Sequence, residues 1–244
     1  MKVAYNGRKA ILAIAGAVTL IVLGLALFQI SRARCSSLVG DAICRVETSR
    51  PLVALTFDDG PTDQGVEIAS RVLRDNGARG TFFLIGHEAS DREHLVRRLL
   101  AEGHEVGNHS FSHTRMVLRW PHFYDDEIER TDRVLRKAGV PEPDLFRPPY
   151  GKKLIGLPMA VERHGYRMIM WDVEDPPGAT NARDYADRIV QAARPGSIIL
   201  MHIMYPANEM AREALPTIVK GLQAKGFDLV TVSELLHQQP APHR

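Results

Sequence analysis

The sequence predicts an α/β fold: seven βα units around a parallel sheet, closed or partly closed into a barrel, behind one apolar N-terminal helix. Three observations predict it. Seven short apolar or β-branched runs alternate with six longer amphipathic ones, and helices of about ten residues or more between short strands mark βα units. Gly77, Gly103, Gly139, Gly165 and Gly226 each stand just past one of the longer runs, where a helix C-terminus needs positive φ. Residues 10–30 contain no charge. The regular alternation favours a barrel, complete or incomplete, over an open sheet, which the pattern also permits.

In chain order, residues 1–9 read as a short cytoplasmic N-terminus and 10–30 as a membrane-spanning signal anchor, broken only by Thr19 and Gln29. As a helix that stretch reaches roughly 32 Å, enough for a bilayer core. Lys2, Arg8 and Lys9 precede it, which favours an inward N-terminus and an exported body. The following QISRAR offers no small-residue cleavage site. The expected location is therefore the cell membrane, single-pass, with the body extracytoplasmic; a cleaved signal and a buried core helix are the alternatives. Cys35 and Cys44 fall in the juxtamembrane segment 31–47, where an even pair in an exported chain suggests a disulfide over two free thiols.

The body, 48–237, places strands at 52–57, 81–85, 105–107, 144–146, 167–172, 197–201 and 228–231. Helices are expected at 65–76, 92–102, 125–138, 154–164, 182–193 and 209–225, and a polar, Pro-rich tail at 238–244. The 244 residues are 45% hydrophobic and 25% charged with net charge +2, ordinary globular proportions for one barrel-sized domain. Lys and Arg are scattered, so no nucleic-acid partner is expected.

Chemistry-bearing residues collect where strands end, the functional rim of parallel α/β architectures. Asp58 and Asp59 follow the first strand, His109 and His113 the third, and Arg147 and Tyr150 the fourth. Trp171, Asp172, Glu174 and Asp175 end the fifth, and His202 the sixth. Taken singly, the aspartates could be a polar turn, the histidines an incidental pair, Arg147-Pro148-Pro149-Tyr150 a rigid loop and His202 a core-edge residue. Their joint placement on one rim points to metal-assisted hydrolysis. His87, His94, His104, His122, His164, His237 and His243 read as surface or capping residues.

Thr56-Phe57-Asp58-Asp59-Gly60, His109-Ser110-Phe111-Ser112-His113, Arg147-Pro148-Pro149-Tyr150 and Leu200-Met201-His202 resemble, in order, motifs of the NodB-homology polysaccharide deacetylases, carbohydrate esterase family 4. The resemblance implies a distorted (β/α)7 barrel and removal of N-acyl groups from an amino-sugar polymer or oligosaccharide. It implies that Asp59, His109 and His113 hold a divalent metal and that Asp58 is the general base, oriented by Arg147. The backbone N–H of Tyr150 would help stabilise an oxyanion, His202 would protonate the leaving amine, and Leu200 would line the acyl pocket. Two histidines and a carboxylate suit Zn2+ in a hydrolase, with Co2+, Mn2+ or Fe2+ as other occupants; the same set serves iron oxygenases, which need no acid–base pair such as Asp58 and His202. The fourth motif departs from the family pattern, an Asp-Trp pair whose Asp tunes the acid histidine. In Trp171-Asp172-Val173-Glu174-Asp175, Asp175 is the first substitute and Glu174 the next, and either could be an ordinary loop carboxylate. Trp171 is a substrate-stacking or a core residue. The expected substrate is peptidoglycan or another extracytoplasmic amino-sugar polymer. A lipid-linked sugar and a non-catalytic saccharide-binding role are the rivals.

Overall fold

The computed structural model describes residues 2–238; the tail expected from 238 onward, His243 included, lies outside the described residues beyond Gln238. In chain order the elements are α1 (Lys2–Arg32), β1 (Leu52–Asp58), α2 (Asp63–Asp75), β2 (Thr81–Leu84), α3 (Gly86–Asp91), α4 (Glu93–Ala101), β3 (Glu105–Asn108), α5 (Pro121–Lys137), β4 (Leu145–Phe146), α6 (Gly156–Arg163), β5 (Arg167–Met168), α7 (Ala182–Ala192), β6 (Ile198–His202), α8 (Glu209–Ala224), β7 (Asp228–Val230) and α9 (Val232–Leu236). All seven strands are parallel and run β5-β4-β3-β2-β1-β6, with β7 beside β1. The sheet curls into a half-barrel. The short α3 and α9 were not legible from periodicity, being barely one or two turns long; α9 is started by a capping box between Thr231 and Glu234.

β1 is the centre. Its first half pairs with β7 and its second with β2 along one edge, while β6 pairs along the other. Every residue of β1 is buried, as a strand covered on both faces must be. Alternation then sorts its side chains. Val53, Leu55 and Phe57 join Ile199 and Met201 in an outer core under α2, α4, α7 and α8. Leu52 and Ala54 join Phe83, Phe146, Ile198 and Leu200 in an inner core. Each fully buried Leu, Ile or Phe contributes about 1.5–3 kcal/mol. Continuing the inner face along β1 brings Thr56 and then Asp58 to the rim; along β6 the same step brings His202 beside it, since Asp58 and His202 are register partners.

β5 is shorter than the run expected at 167–172. Beyond it the chain meets single bridges, Ile169 with Ile43 and Val173 with Ile199. Ile43 N–H donates to the Met168 carbonyl at 3.0 Å, Met170 N–H to the Ile43 carbonyl at 2.7 Å and Val46 N–H to the Gly196 carbonyl at 2.9 Å. The segment 43–46 thus fills the gap between β5 and β6, so the barrel wall begins before residue 48, and part of the expected juxtamembrane stretch belongs to it. Gly196 has φ +81, and a Cβ there would lie 1.8 Å from the Val46 carbonyl oxygen, so only glycine admits this seam. Cys35 and Cys44 are joined in a disulfide, tying the preceding loop to the wall.

α1 contains the window Ile14–Arg32, mean hydropathy 2.2 and 6% buried, long and apolar enough to cross a membrane by length and composition. Its side chains from Ile14 to Phe28 are exposed, unlike those of a core helix. Its end is fixed to the rim. Lys153 N–H donates to the Ser31 carbonyl at 3.1 Å, and the buried Lys153 ammonium donates to the Ala33 carbonyl. A cation there satisfies a carbonyl at the helix C-terminus, although burial pulls the Lys153 ammonium down to about 8.

Candidate active site

A cavity of about 300 Å³ opens at the C-terminal rim, lined by Asp58, Asp59, His109, His113, Tyr150, Gly151, Trp171, Glu174, Asp175, Leu200 and His202. The sequence-expected residues other than Arg147 and Asp172 therefore converge on one cavity. Arg147 lies behind it. Asp172 instead faces away, accepting from Ser197 Oγ at 3.0 Å and Ile198 N–H at 3.1 Å.

Asp59, His109 and His113 present one ligand atom each, all within 4.8 Å of one another. Asp59 Oδ1 is buried with no hydrogen-bond partner, at 3.4 Å from His113 Nε2 and 3.8 Å from His109 Nε2. A buried carboxylate oxygen without a partner is costly, and a cation between these three groups removes that cost. His109 Nδ1 lies 2.8 Å from the Arg147 carbonyl, so it carries the proton and leaves the Nε2 lone pair facing Asp59, the orientation metal-bound imidazoles take. Burial pulls His109 down to about 4 and lowers His113, keeping both neutral and able to ligate. Burial and then the Asp58 charge push Asp59 up to about 6, the mark of an anion awaiting a counter-charge. The three residues fit a divalent metal.

Asp58 is the opposite case. Burial alone would raise its carboxyl, but Arg147, with help from His109 and His202, holds it below the usual carboxylate range. Arg147 is fully buried and uses four of its five N–H donors: Nη1 donates to Asp58 Oδ1 at 2.6 Å and Thr56 Oγ1 at 2.8 Å, Nε to the Ile169 carbonyl at 3.2 Å and Nη2 to the Met170 carbonyl at 3.1 Å. Phe83 covers the guanidinium face at 4.1 Å. Such a buried pair keeps its charges because nearly every donor is satisfied.

Across the cavity His202 Nδ1 meets Asp175 Oδ2 at 2.5 Å, and His202 N–H donates to Asp175 Oδ1 at 3.2 Å. The Tyr185 hydroxyl also donates to Asp175 Oδ1. Burial opposes a charged imidazole, yet Asp175 and then Asp58 push His202 up to about 9, so it holds a proton at neutral pH. Of the two candidate carboxylates, Asp175 is the one that meets His202. Glu174 accepts from Trp171 Nε1 at 2.8 Å and pairs with Arg34. Trp171 is almost fully buried, packed on Gly151, whose φ is +61 and where a Cβ would meet the indole at 2.7 Å.

Four non-glycine residues with positive φ cluster here: Asp59, Ser110, His113 and Tyr150. A side chain in that region is strained and persists where the surroundings over-determine it. The surroundings are visible for the 110–113 loop. Glu127, buried on α5, accepts Phe111 N–H at 3.0 Å, Ser112 N–H and Ser112 Oγ at 2.8 Å. Asn108 Oδ1 accepts Ser110 N–H at 2.9 Å. Sequence reading missed Glu127, although an acid within the buried stripe Tyr124, Ile128, Thr131 and Leu135 is a usable signal. It also missed Asn108, Tyr185 and Arg34, which carry no local mark, and gave no role to Thr56, which opens the first motif and accepts from Arg147. His104 differs from its expected surface role: it is buried under Phe82, and burial lowers its pKa.

A parallel α/β half-barrel with an Asp-His-His cluster, an Arg-paired aspartate and a carboxylate-paired histidine on one rim carries the groups that a hydrolase needs. Residues 45–169 match the polysaccharide deacetylase family model. The chain is 32% identical to a peptidoglycan-N-acetylglucosamine deacetylase of Bacillus cereus, over 78% of this chain and 91% of that one. It is also 32% identical to a chitooligosaccharide deacetylase of Azorhizobium caulinodans, over 79% and 98%. The solved family 4 carbohydrate esterase of Streptomyces lividans superposes with TM-score 0.70 at 33% identity, covering 81% of this chain and 100% of that one. The chain belongs to the polysaccharide deacetylases, carbohydrate esterase family 4, and is a hydrolase acting on carbon–nitrogen bonds other than peptide bonds.

Proposed function

We propose that this enzyme removes the N-acetyl group from an amino sugar of an extracytoplasmic glycan, peptidoglycan or a chitin-like polymer, while α1 holds it on the cell membrane as a single-pass anchor. The observation that carries the reaction is the unpartnered Asp59 Oδ1 between two neutral imidazoles, with Asp58 and His202 side by side at adjacent strand ends. The names of the relatives support the substrate class.

Asp59, His109 and His113 hold a divalent cation, Zn2+ by its donor set. When bound, it supplies positive charge that polarises the amide carbonyl and makes water a better nucleophile. Asp58 takes the proton from the attacking water, its own carboxylate kept ionised by Arg147. As water oxygen bonds to the acyl carbon, the carbonyl oxygen becomes an oxyanion, and the Tyr150 N–H donates to it. His202 gives its proton to the amide nitrogen, the C–N bond breaks, and the products are acetate and a free amine. Asp175 accepts from His202 Nδ1 and so turns the Nε2 proton toward the cavity. Leu200 and Trp171 bound the acyl end.

The test is product mass spectrometry on N-acetylated chitooligosaccharides and peptidoglycan fragments with the full chain in detergent, with zinc and with a chelator. Zinc-dependent loss of acetyl is expected. Acetyl release unaffected by exhaustive chelation would overturn the metal, and no release from any amino sugar would overturn the reaction.

A further inference from the structure

A second cavity of about 300 Å³ adjoins the catalytic one, lined by Arg32, Arg34, Tyr150, Gly151, Lys152, Met170, Trp171 and Glu174. Tyr150, Gly151, Trp171 and Glu174 line both cavities, so a substrate in the first runs directly into the second. Its charge is lopsided. Arg34 is paired with Glu174, but among the described residues neither Arg32 nor Lys152 has a carboxylate within 4.0 Å. Arg115 adds a third unpaired cation, its guanidinium 5.2 Å over the Tyr150 ring that forms the shared wall. The Lys152 ammonium lies 4.7 Å over Phe28 and the Arg32 guanidinium 5.3 Å over the same ring, so both cations meet at the end of α1. Burial and then the neighbouring Arg32 and Arg115 lower Lys152, as expected of like charges gathered without a counter-ion.

We infer that this groove is an anion subsite for a phosphate group carried by the amino sugar undergoing deacetylation. The inference rests on the deacetylation reaction proposed above but differs on its substrate, which it takes to be a phosphodiester-linked amino sugar. Arg32 and Lys152 in the groove, with Arg115 against its Tyr150 wall, are the chemistry of phosphate recognition. Lys153 fixes α1 against the loop bearing Tyr150 and Lys152, so the subsite stands at the end of the membrane helix. A phosphodiester arrives there either on a membrane lipid that carries the sugar or within a soluble phosphate-bearing glycan.

Three substrates separate these cases: the methyl glycoside of N-acetylglucosamine, its methyl phosphodiester and its prenyl phosphodiester, each assayed for acetate release by the full chain in neutral detergent micelles. The methyl phosphodiester is expected to exceed the methyl glycoside about tenfold or more in kcat/KM, chiefly through KM. That preference should shrink as salt rises, collapse in R32A/K152A and return in Lys152→Arg. A further gain for the prenyl phosphodiester identifies a lipid-borne source; equal values for the two phosphodiesters identify a soluble one. Equal kcat/KM for neutral and phosphorylated sugars, or a preference untouched in R32A/K152A, overturns the subsite. Calorimetric binding of the methyl phosphodiester and methyl glycoside to Asp58→Asn is read without turnover. Selective binding of the former with no acetate from any sugar would sink the reaction and keep the subsite, whereas turnover without selectivity would do the reverse.

Discussion

The two sides of the catalytic cavity are built differently. On the side of β1, β3 and β4, Asp58, His109 and Arg147 are almost completely buried, and each is held by strand backbone or by another buried group. On the side of β5 and β6, His202 at the end of β6 and Glu174 and Asp175 on irregular chain are only partly buried. That side borrows support from distant segments: Tyr185 of α7, Arg34 from beyond α1, and the inserted strand-like segment 43–46. Rigid sheet ends place the groups whose spacing the chemistry fixes. The opposite wall is assembled from loops and segments brought in from distant parts of the chain.

Substitutions on the two sides should differ in size and in kind. The largest loss is expected on the sheet side: Asp58→Asn should lower kcat by about 10²–10⁴-fold while metal content, read by elemental analysis, is kept. Retained turnover would remove Asp58 as base. Arg147→Ala should strand the Asp58 charge in the interior and cost about 3–5 kcal/mol of stability. Denaturant titration in detergent, with an unchanged midpoint, would show the pair to be dispensable.

On the other side Asp175→Asn should leave folding intact and act through His202. Because the carboxylate raises the imidazole, its loss lowers that pKa. The alkaline limb of kcat, expected near pH 9 from His202, should move to lower pH, with a fall of about tenfold at neutral pH. A limb that stays put would assign it to another group. The smallest effect is expected from Arg34→Ala. Its exposed pair with Glu174 contributes about 0–1 kcal/mol, and a rise in KM of a few-fold with kcat unchanged is expected for long glycans only. A large drop in kcat would mean that the wall, too, positions the chemistry.

The same division governed what could be read from the chain alone. The strands, the five cap glycines and the motif residues at strand ends follow from patterns that are local, two residues per strand repeat or a few per helix turn. Asp58, Asp59, His109, His113 and His202 could be named because each follows an apolar run by one or a few residues. Asp175 could be ranked ahead of Glu174 as the partner of His202, but no physical ground for the order could be read from the chain, since adjacent residues in irregular chain have no defined face. Glu127 was legible only as an oddity in a helical stripe, and Tyr185 and Arg34 left no trace, because their partners lie 10 and 140 residues away.

By itself the sequence determined the α/β alternation, the apolar N-terminal helix, the donor types and the rim on which they gather. Those depend on side-chain period, length and hydropathy, which are properties of neighbouring residues. Tertiary structure alone decided the register that sets Asp58 beside His202, the segment 43–46 that fills the gap in the half-barrel, and the seat of α1 beside the loop of Tyr150 and Lys152. Each is a contact between residues far apart in the chain, and such contacts are selected by packing and hydrogen-bond satisfaction across the whole fold.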